Sequence, residues 1–313
     1  MIDLSVNYPI PANKTWNILD SSKYKDFISC ERYYFLRHVL GWRPDYPPHD
    51  LVYGEAWHRG MKVLFDEGYN KPAIEHAVQA FMEYYRQFFH EVTDLDYVPK
   101  SPGDALNGFI SYVSQYQHQD NWEVLFTERS GTVLIEEDVP LHFRLDAVVR
   151  DNNRIICVDH KTTRWAGNTW AEQFSLDFQM HCYHHVLHCM YPDENIGGIL
   201  INGTKFFKSK IEHERVPIHK SLDSLNLWYH EARWYASEIK RNFALLSKQS
   251  DHDPVMTAFP RRLTQCVRFN RMCQYADFCS VWANPLKHAH SVPSDFKVEW
   301  WDPSEREKET VTL

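Results

Sequence analysis

Two apolar runs frame this chain: Phe143-Arg144-Leu145-Asp146-Ala147-Val148-Val149, and, after a short polar break, Ile155-Ile156-Cys157-Val158-Asp159-His160-Lys161-Thr162-Thr163. Both are rich in β-branched and other apolar residues. Asp151-Asn152-Asn153-Arg154 between them is hairpin chemistry, so the pattern predicts two adjacent antiparallel strands. Asp146 then lies in the first strand. Asp159 and Lys161 lie near the end of the second, and a period of two puts both on one face of the sheet.

Upstream the apolar positions recur at helical spacing. A first helix is predicted from the capping pair Ser21-Ser22 through Tyr24, Phe27, Ile28, Tyr34 and Leu36 to Gly41, carrying Cys30, and Asp45-Tyr46-Pro47-Pro48 ends it. A second, over 54–65, carries His58; others are predicted over 72–92 and 103–119. From Trp122 the period falls to two, with Val124 and Phe126, then Val133 and Ile135, reading as strands joined across Ser130-Gly131. Past the central pair the pattern predicts a helix over 169–190, strands over 196–204 and 209–218, and a long helix over 222–247. The chain then becomes irregular, and beyond Asn284-Pro285 it reads as a loose arm or contact surface.

These elements imply an α/β fold, a central mixed sheet flanked by helices with helical additions from both ends. In linear terms they suggest a helical region (1–120), a core (121–220), a long helix with a cysteine-bearing segment (221–285) and a tail (286–313). Trp57 and Trp165 read as core residues that could otherwise stack unpaired bases.

Composition narrows the chemistry. A chain of 313 residues with 43% hydrophobic content can bury a full core, and its net charge of −8 argues against a generally basic nucleic-acid coat while leaving room for a local basic groove. The start, Met1-Ile2-Asp3-Leu4, shows no basic-then-apolar leader and no apolar run reaches the length of a membrane span, so a cytoplasmic protein is expected.

Asp146, Asp159 and Lys161 carry the sharpest hypothesis. Two carboxylates converging beside one ammonium suit a hard divalent cation such as Mg²⁺, and the lysine can hold or deprotonate a water there. On their own the three also fit ordinary strand charges with a cross-strand ion pair. Gln179 and Tyr183 are four apart on the 169–190 helix and so share a face.

The seven cysteines, an odd number, suggest thiols or a metal site over a disulfide framework. Cys266, Cys273 and Cys279 cluster late in the chain, one ligand short of a tetrahedral site, and Cys30 can complete the set if the first helix folds back. Soft thiolates suit Zn²⁺ or an iron–sulfur cluster alike, and unrelated buried thiols are the plain alternative. Cys157, Cys182 and Cys189 read as small buried hydrophobes.

Taken in order, Ser29-Cys30-Glu31-Arg32-Tyr33-Tyr34, Gly54-x-x-x-His58, the Asp146 strand, Asp159-His160-Lys161-Thr162, Gln179-x-x-x-Tyr183 and the late cysteines resemble the PD-(D/E)XK nuclease superfamily. Within it they resemble the RecB-like iron–sulfur exonucleases of phages, AddB subunits and CRISPR adaptation modules. The resemblance implies a restriction-endonuclease-like core. It implies that His58, Asp146, Asp159 and the main-chain carbonyl of His160 bind Mn²⁺ or Mg²⁺, that Lys161 positions or activates water, and that Gln179 and Tyr183 steady a DNA strand. Cys30, Cys266, Cys273 and Cys279 would hold a structural [4Fe–4S] cluster.

The implied activity is a metal-dependent DNA exonuclease on single-stranded or resected DNA in phage recombination, repair or CRISPR-related processing, in the host cytoplasm if phage-encoded. An oligomer or a recombination partner protein would accompany it. The alternatives are a DNA-binding or assembly subunit with a vestigial site, and a zinc-stapled structural protein. The chain departs from the family pattern at Phe143, where glycine is frequent, in lacking the proline of the family's name, and in a longer first cysteine gap in which Asn270 replaces an early cysteine.

Overall fold

The structure is a computed structural model that describes residues 1–313 apart from 47, 137–138, 166, 168, 269–270, 307–309 and 313, so Asn270 lies outside the described residues. In chain order the elements are β1 (Leu19–Asp20), α1 (Ser21–Ser29), α2 (Glu31–Tyr34), β2 (Trp42–Pro44), α3 (His49–Glu67), α4 (Lys71–Tyr85), α5 (Pro102–Tyr116), β3 (Glu123–Glu136), β4 (Val139–Asp151), β5 (Arg154–Thr163), α6 (Thr169–Glu172), α7 (Phe178–Met190), β6 (Ile196–Phe206), β7 (Ile211–Ile218), α8 (Leu222–Leu246), β8 (Val267–Arg268), β9 (Arg271–Met272), α9 (Ala276–Val281), β10 (Phe296–Val298) and β11 (Thr310–Thr312). Among the described residues, no helix is long and apolar enough to cross a membrane.

The chain packs as two compact units, one of residues 47–130 and 144–225, the other of residues 1–46, 131–143 and 226–313. The first carries residues 123–130 of β3 and 144–151 of β4 with β5, β6 and β7, and the strands run in the order β3-β4-β5-β6-β7. The sheet is mixed: β5 pairs antiparallel with β4 and parallel with β6, and β6 pairs antiparallel with β7. Helices α3, α4 and α5 bury Trp57, Met61, Leu64, Phe81, Phe109 and Tyr112 in one cluster with Ala147, Val149, Val158 and Phe206 of the sheet. Large aliphatic and aromatic side chains removed from water drive this packing, at roughly 1.5–3 kcal/mol each. Close approach of α3 and α5 requires glycine on both sides, since a Cβ at Gly60 would meet the Phe109 ring at 2.2 Å and one at Gly108 would meet Trp57 at 2.9 Å.

Local signals place these helices. Asn70 caps α4 by accepting from the Ala73 N–H, and α5 opens on a capping box in which Ser101 and Asp104 satisfy each other's backbone donors. The second unit holds α1, which Asp20 caps by accepting from the Lys23 N–H at 2.8 Å, and β1 beside β4, with Leu19 opposite Leu141.

Five sequence expectations change. The helix over 21–41 breaks at Cys30, which adopts an extended backbone. The Arg32 N–H bonds the Pro260 carbonyl at 3.1 Å, and the Arg32 guanidinium donates to the Phe259 carbonyl at 2.9 Å, so long-range partners override a helical pattern. The helix over 72–92 stops at Tyr85, where Phe89 turns back to pack on His49. The helix over 169–190 divides into α6 and α7 because Asp177 caps the second piece, accepting from the Gln179 N–H at 2.7 Å. No turn forms at Ser130-Gly131: β3 runs unbroken from Glu123 to Glu136. The tail is tied down as well, with the Trp301 indole donating to Asp20 at 2.7 Å and the Trp300 indole to the Val39 carbonyl at 3.3 Å.

Candidate functional site

Strand β5 supplies the centre. Ile156 and Val158 face the α3–α5 core, and the His160 ring lies 5.0 Å from the Phe65 ring on that side. By alternation Asp159 and Lys161 point to the other face, with Lys161 Nζ 2.7 Å from Asp159 Oδ2. The register that sets Ala147 opposite Val158 carries Asp146 to the level of Asp159 one residue further on. Asp146 is anchored there, since its Oδ2 accepts the His160 main-chain N–H at 2.8 Å.

His58, at mid-length of α3, reaches the same place: its Nδ1 is 3.2 Å from Asp146 Oδ1. A third group joins them. The ligand atoms of His58, Glu128 and Asp146 lie within 4.8 Å of one another, the tight metal-ligating group among the described residues. Glu128 sits in the middle of β3 with φ of 52°, a left-handed conformation that costs a non-glycine residue of order 1–3 kcal/mol and recurs at functional sites. Arg144 of β4 is ion-paired with Glu128 and also approaches Glu55 at 3.8 Å.

Burial and charge set the protonation of the group. Burial pulls the His58 imidazole down, but the Asp146 charge and the hydrogen bond to it outweigh that and lift it to about 9. For Asp146 burial works upward, and the charges of His58, His160 and Lys161 overcome it and hold the carboxyl well below its usual range. Burial would lower Lys161 too, yet the Asp159 and Asp146 charges raise it, so it stays an ammonium. Burial raises Asp159 and Glu128, each against its cationic neighbour.

Gln179 and Tyr183 do share a face of α7, where Gln179 Nε2 donates to Tyr183 Oη at 2.8 Å. Burial and then the charges of Asp159 and Asp146 push Tyr183 well above a free phenol. Trp57 is core, stacked on Phe109 at 4.2 Å, whereas Trp165 is 49% exposed.

The other unit holds the four late-and-early cysteines. Cys30, at the break between α1 and α2, joins Cys266, Cys273 and Cys279 around a cavity of about 210 Å³, with Arg261, Arg262 and Arg271 on its wall. The antiparallel pairing of β8 and β9 sets two of them, the Cys273 N–H donating to the Cys266 carbonyl at 2.7 Å. Burial pushes the Cys279 thiol up to about 11, against the pull of Arg32 and with the three other cysteines adding to the rise. Among the described residues, no three of these sulfurs lie within 4.8 Å of one another.

Residues 21–280 match the model of the PD-(D/E)XK nuclease superfamily. The chain belongs to the PD-(D/E)XK nuclease superfamily. Membership makes it a nuclease, an enzyme whose chemistry uses divalent metal and whose substrate is DNA, and its mixed sheet flanked by helices is consistent with a restriction-endonuclease-like core. No curated protein matches it. A solved structure described as "Crystal structure of SSO0001" is 14% identical, with 59% of this chain and 74% of that chain covered and a TM-score of 0.26.

For a PD-(D/E)XK nuclease the donor set fits its metal: one imidazole and two carboxylates, that of Asp146 buried, suit a divalent cation. Sequence reading missed Glu128. It reads as a lone acid between Thr127 and Arg129, and the one available signal, its nearness to a strand carrying Asp146, becomes specific only with the strand pairing.

Proposed function

We propose that the chain is a Mn²⁺- or Mg²⁺-dependent DNA exonuclease acting on single-stranded or resected ends. Phage recombination, repair or CRISPR-related processing in the cytoplasm is the setting that the motif order favours. The observation that carries this reading is the convergence of His58 and Asp146 from separate elements beside the Asp159–Lys161 pair.

His58, Asp146 and Asp159, with the His160 main-chain carbonyl, would hold the ion, and Glu128 is placed to join them. The bound ion supplies charge neutralisation at the scissile phosphate and acidifies its water. Lys161 acts as a cation: raised by two carboxylates, its ammonium donates to water and phosphate oxygens instead of taking a proton. Gln179 and Tyr183 offer an amide and a hydroxyl to the strand at the same face.

The cysteine cavity supports an iron–sulfur cluster over zinc. Four thiolates around one Zn²⁺ at 2.3 Å bring their sulfurs to about 3.8 Å of one another. Here, among the described residues, no three of the sulfurs lie within 4.8 Å of one another, and they line about 210 Å³ of space. The cluster would fasten Cys30 to the 266–279 segment, a structural role.

The test is degradation of 5′- and 3′-labelled DNA, single- and double-stranded, in Mn²⁺ with and without chelator. Asp159→Ala and Lys161→Ala should abolish it with the fold intact. Binding of DNA with no cleavage across a metal series would favour an assembly subunit instead.

A further inference from the structure

On the face of β5 away from Asp159 and Lys161, a polar row crosses the sheet. His160 stands opposite Asn202 in the β5–β6 register, and Asn202 opposite Arg215 in the β6–β7 register. The side chains follow the row. Asn202 Nδ2 meets His160 Nδ1 at 3.0 Å and donates to Tyr112 Oη at 2.9 Å, and Arg215 Nε donates to Asn202 Oδ1 at 3.3 Å. Arg215 is clamped by Asp120 through two bonds of 2.5 and 2.6 Å and lies over the Tyr116 ring at 3.6 Å. His160 and Asn202 are each only 2% exposed. At its far end the row reaches the centre, where the His160 N–H holds Asp146.

Such a row is a poor device for stability alone. Replacing a buried ion pair by apolar side chains is often neutral or stabilising, and its best-attested use is to specify register. Register is what β5 needs. Ile155 and Cys157 on one face and Ile156 and Val158 on the other are all apolar, so the hydrophobic pattern does not distinguish its two faces. The β5–β6 ladder already shifts between Ile155 and Ile156. A slip of one residue would turn Asp159 and Lys161 into the α3–α5 core and bring Val158 and His160 to the candidate centre.

We infer that Asn202 and Arg215 are positioning residues: the row they form with His160 locks β5 on β6 at the level of Asp159 and Lys161, and so sets how the carboxylates meet a divalent ion. This rests on the reading of that centre as an ion site. A slip there would be felt at Asp146 as well, through the His160 N–H.

The experiment measures Mn²⁺ binding by electron paramagnetic resonance on the full chain after chelation and desalting, alongside its urea unfolding midpoint. The variants are the charge-free pair Arg215→Met/Asp120→Leu and the milder Tyr112→Phe, which loses one hydroxyl of the row. The pair leaves the buried Asn202 Oδ1 without its donor and should lower the midpoint, while binding Mn²⁺ about tenfold or more weakly, the size seen when groups behind metal ligands are removed. Tyr112→Phe should weaken binding in the same direction and by less than the pair does. A purely structural row would lower the midpoint and leave Mn²⁺ affinity untouched, and that result overturns the inference. If the pair does not fold, unchanged affinity in Tyr112→Phe overturns it by itself. Wild-type protein that binds no Mn²⁺ removes the ion site and this inference with it, whereas equal binding by wild type and variants removes the positioning role alone.

Discussion

His58 Nδ1 lies 3.2 Å from Asp146 Oδ1, so a helix residue and a strand residue far apart in sequence are held as an ion pair with the proton on the imidazole. The imidazolium that results is raised to about 9, and the sign of its linkage follows. Stability from this pair is fully present below the ordinary histidine value of about 6.5 and is lost as pH rises through 9. Urea unfolding of the metal-free protein should therefore lose up to about 3 kcal/mol between pH 6.5 and 9 relative to a His58→Gln variant.

The same proton competes with any cation bound by His58. Mn²⁺ affinity should rise by about tenfold per pH unit below pH 9, with about one proton released per ion. Calorimetry in two buffers of different ionisation enthalpy counts that proton, and a release near zero would contradict the role given to His58.

Glu128 should separate stability from activity. Glycine accepts its φ of 52° without cost, so Glu128→Gly relieves strain and should leave the melting temperature unchanged or slightly higher. Loss of its carboxylate should nonetheless weaken Mn²⁺ binding and cleavage by about tenfold. Thermal melts and metal-dependent rates on one preparation check both signs.

Lys161 should behave as a fixed charge. Between pH 7 and 9 the cleavage rate should show no ascending limb that disappears in Lys161→Arg, because the amine is raised above its free value and not lowered. A limb of that kind would return the lysine to the role of base.

The cysteine site predicts iron. Protein purified without oxygen should be brown and carry about four irons per chain, and Cys279→Ser should lose colour and iron while the unit around Cys30 loosens. One zinc per chain and no visible absorbance would support the zinc-stapled alternative.

Much of the centre was legible in the sequence because strand alternation is a strong signal: Asp159 and Lys161 fall two apart in an apolar run, and a hairpin turn brings Asp146 beside them. His58 was legible only through motif order, since helical periodicity says nothing about which strand a helix residue meets. Glu128 was not legible, as its place depends on one unusual backbone angle. The break at Cys30 escaped for a related reason, the competing partners being Pro260 and Phe259, more than two hundred residues away. Nor did the pattern announce the row from His160 to Arg215, because each member lies in a different strand.

The most direct test of the account is anomalous diffraction from crystals soaked in Mn²⁺. A manganese peak bonded to His58 and Asp146 is expected, with Asp159 and Glu128 turned toward it and Lys161 alongside. A peak elsewhere on the protein, with the His58–Asp146 contact still closed at about its present 3.2 Å, would contradict it.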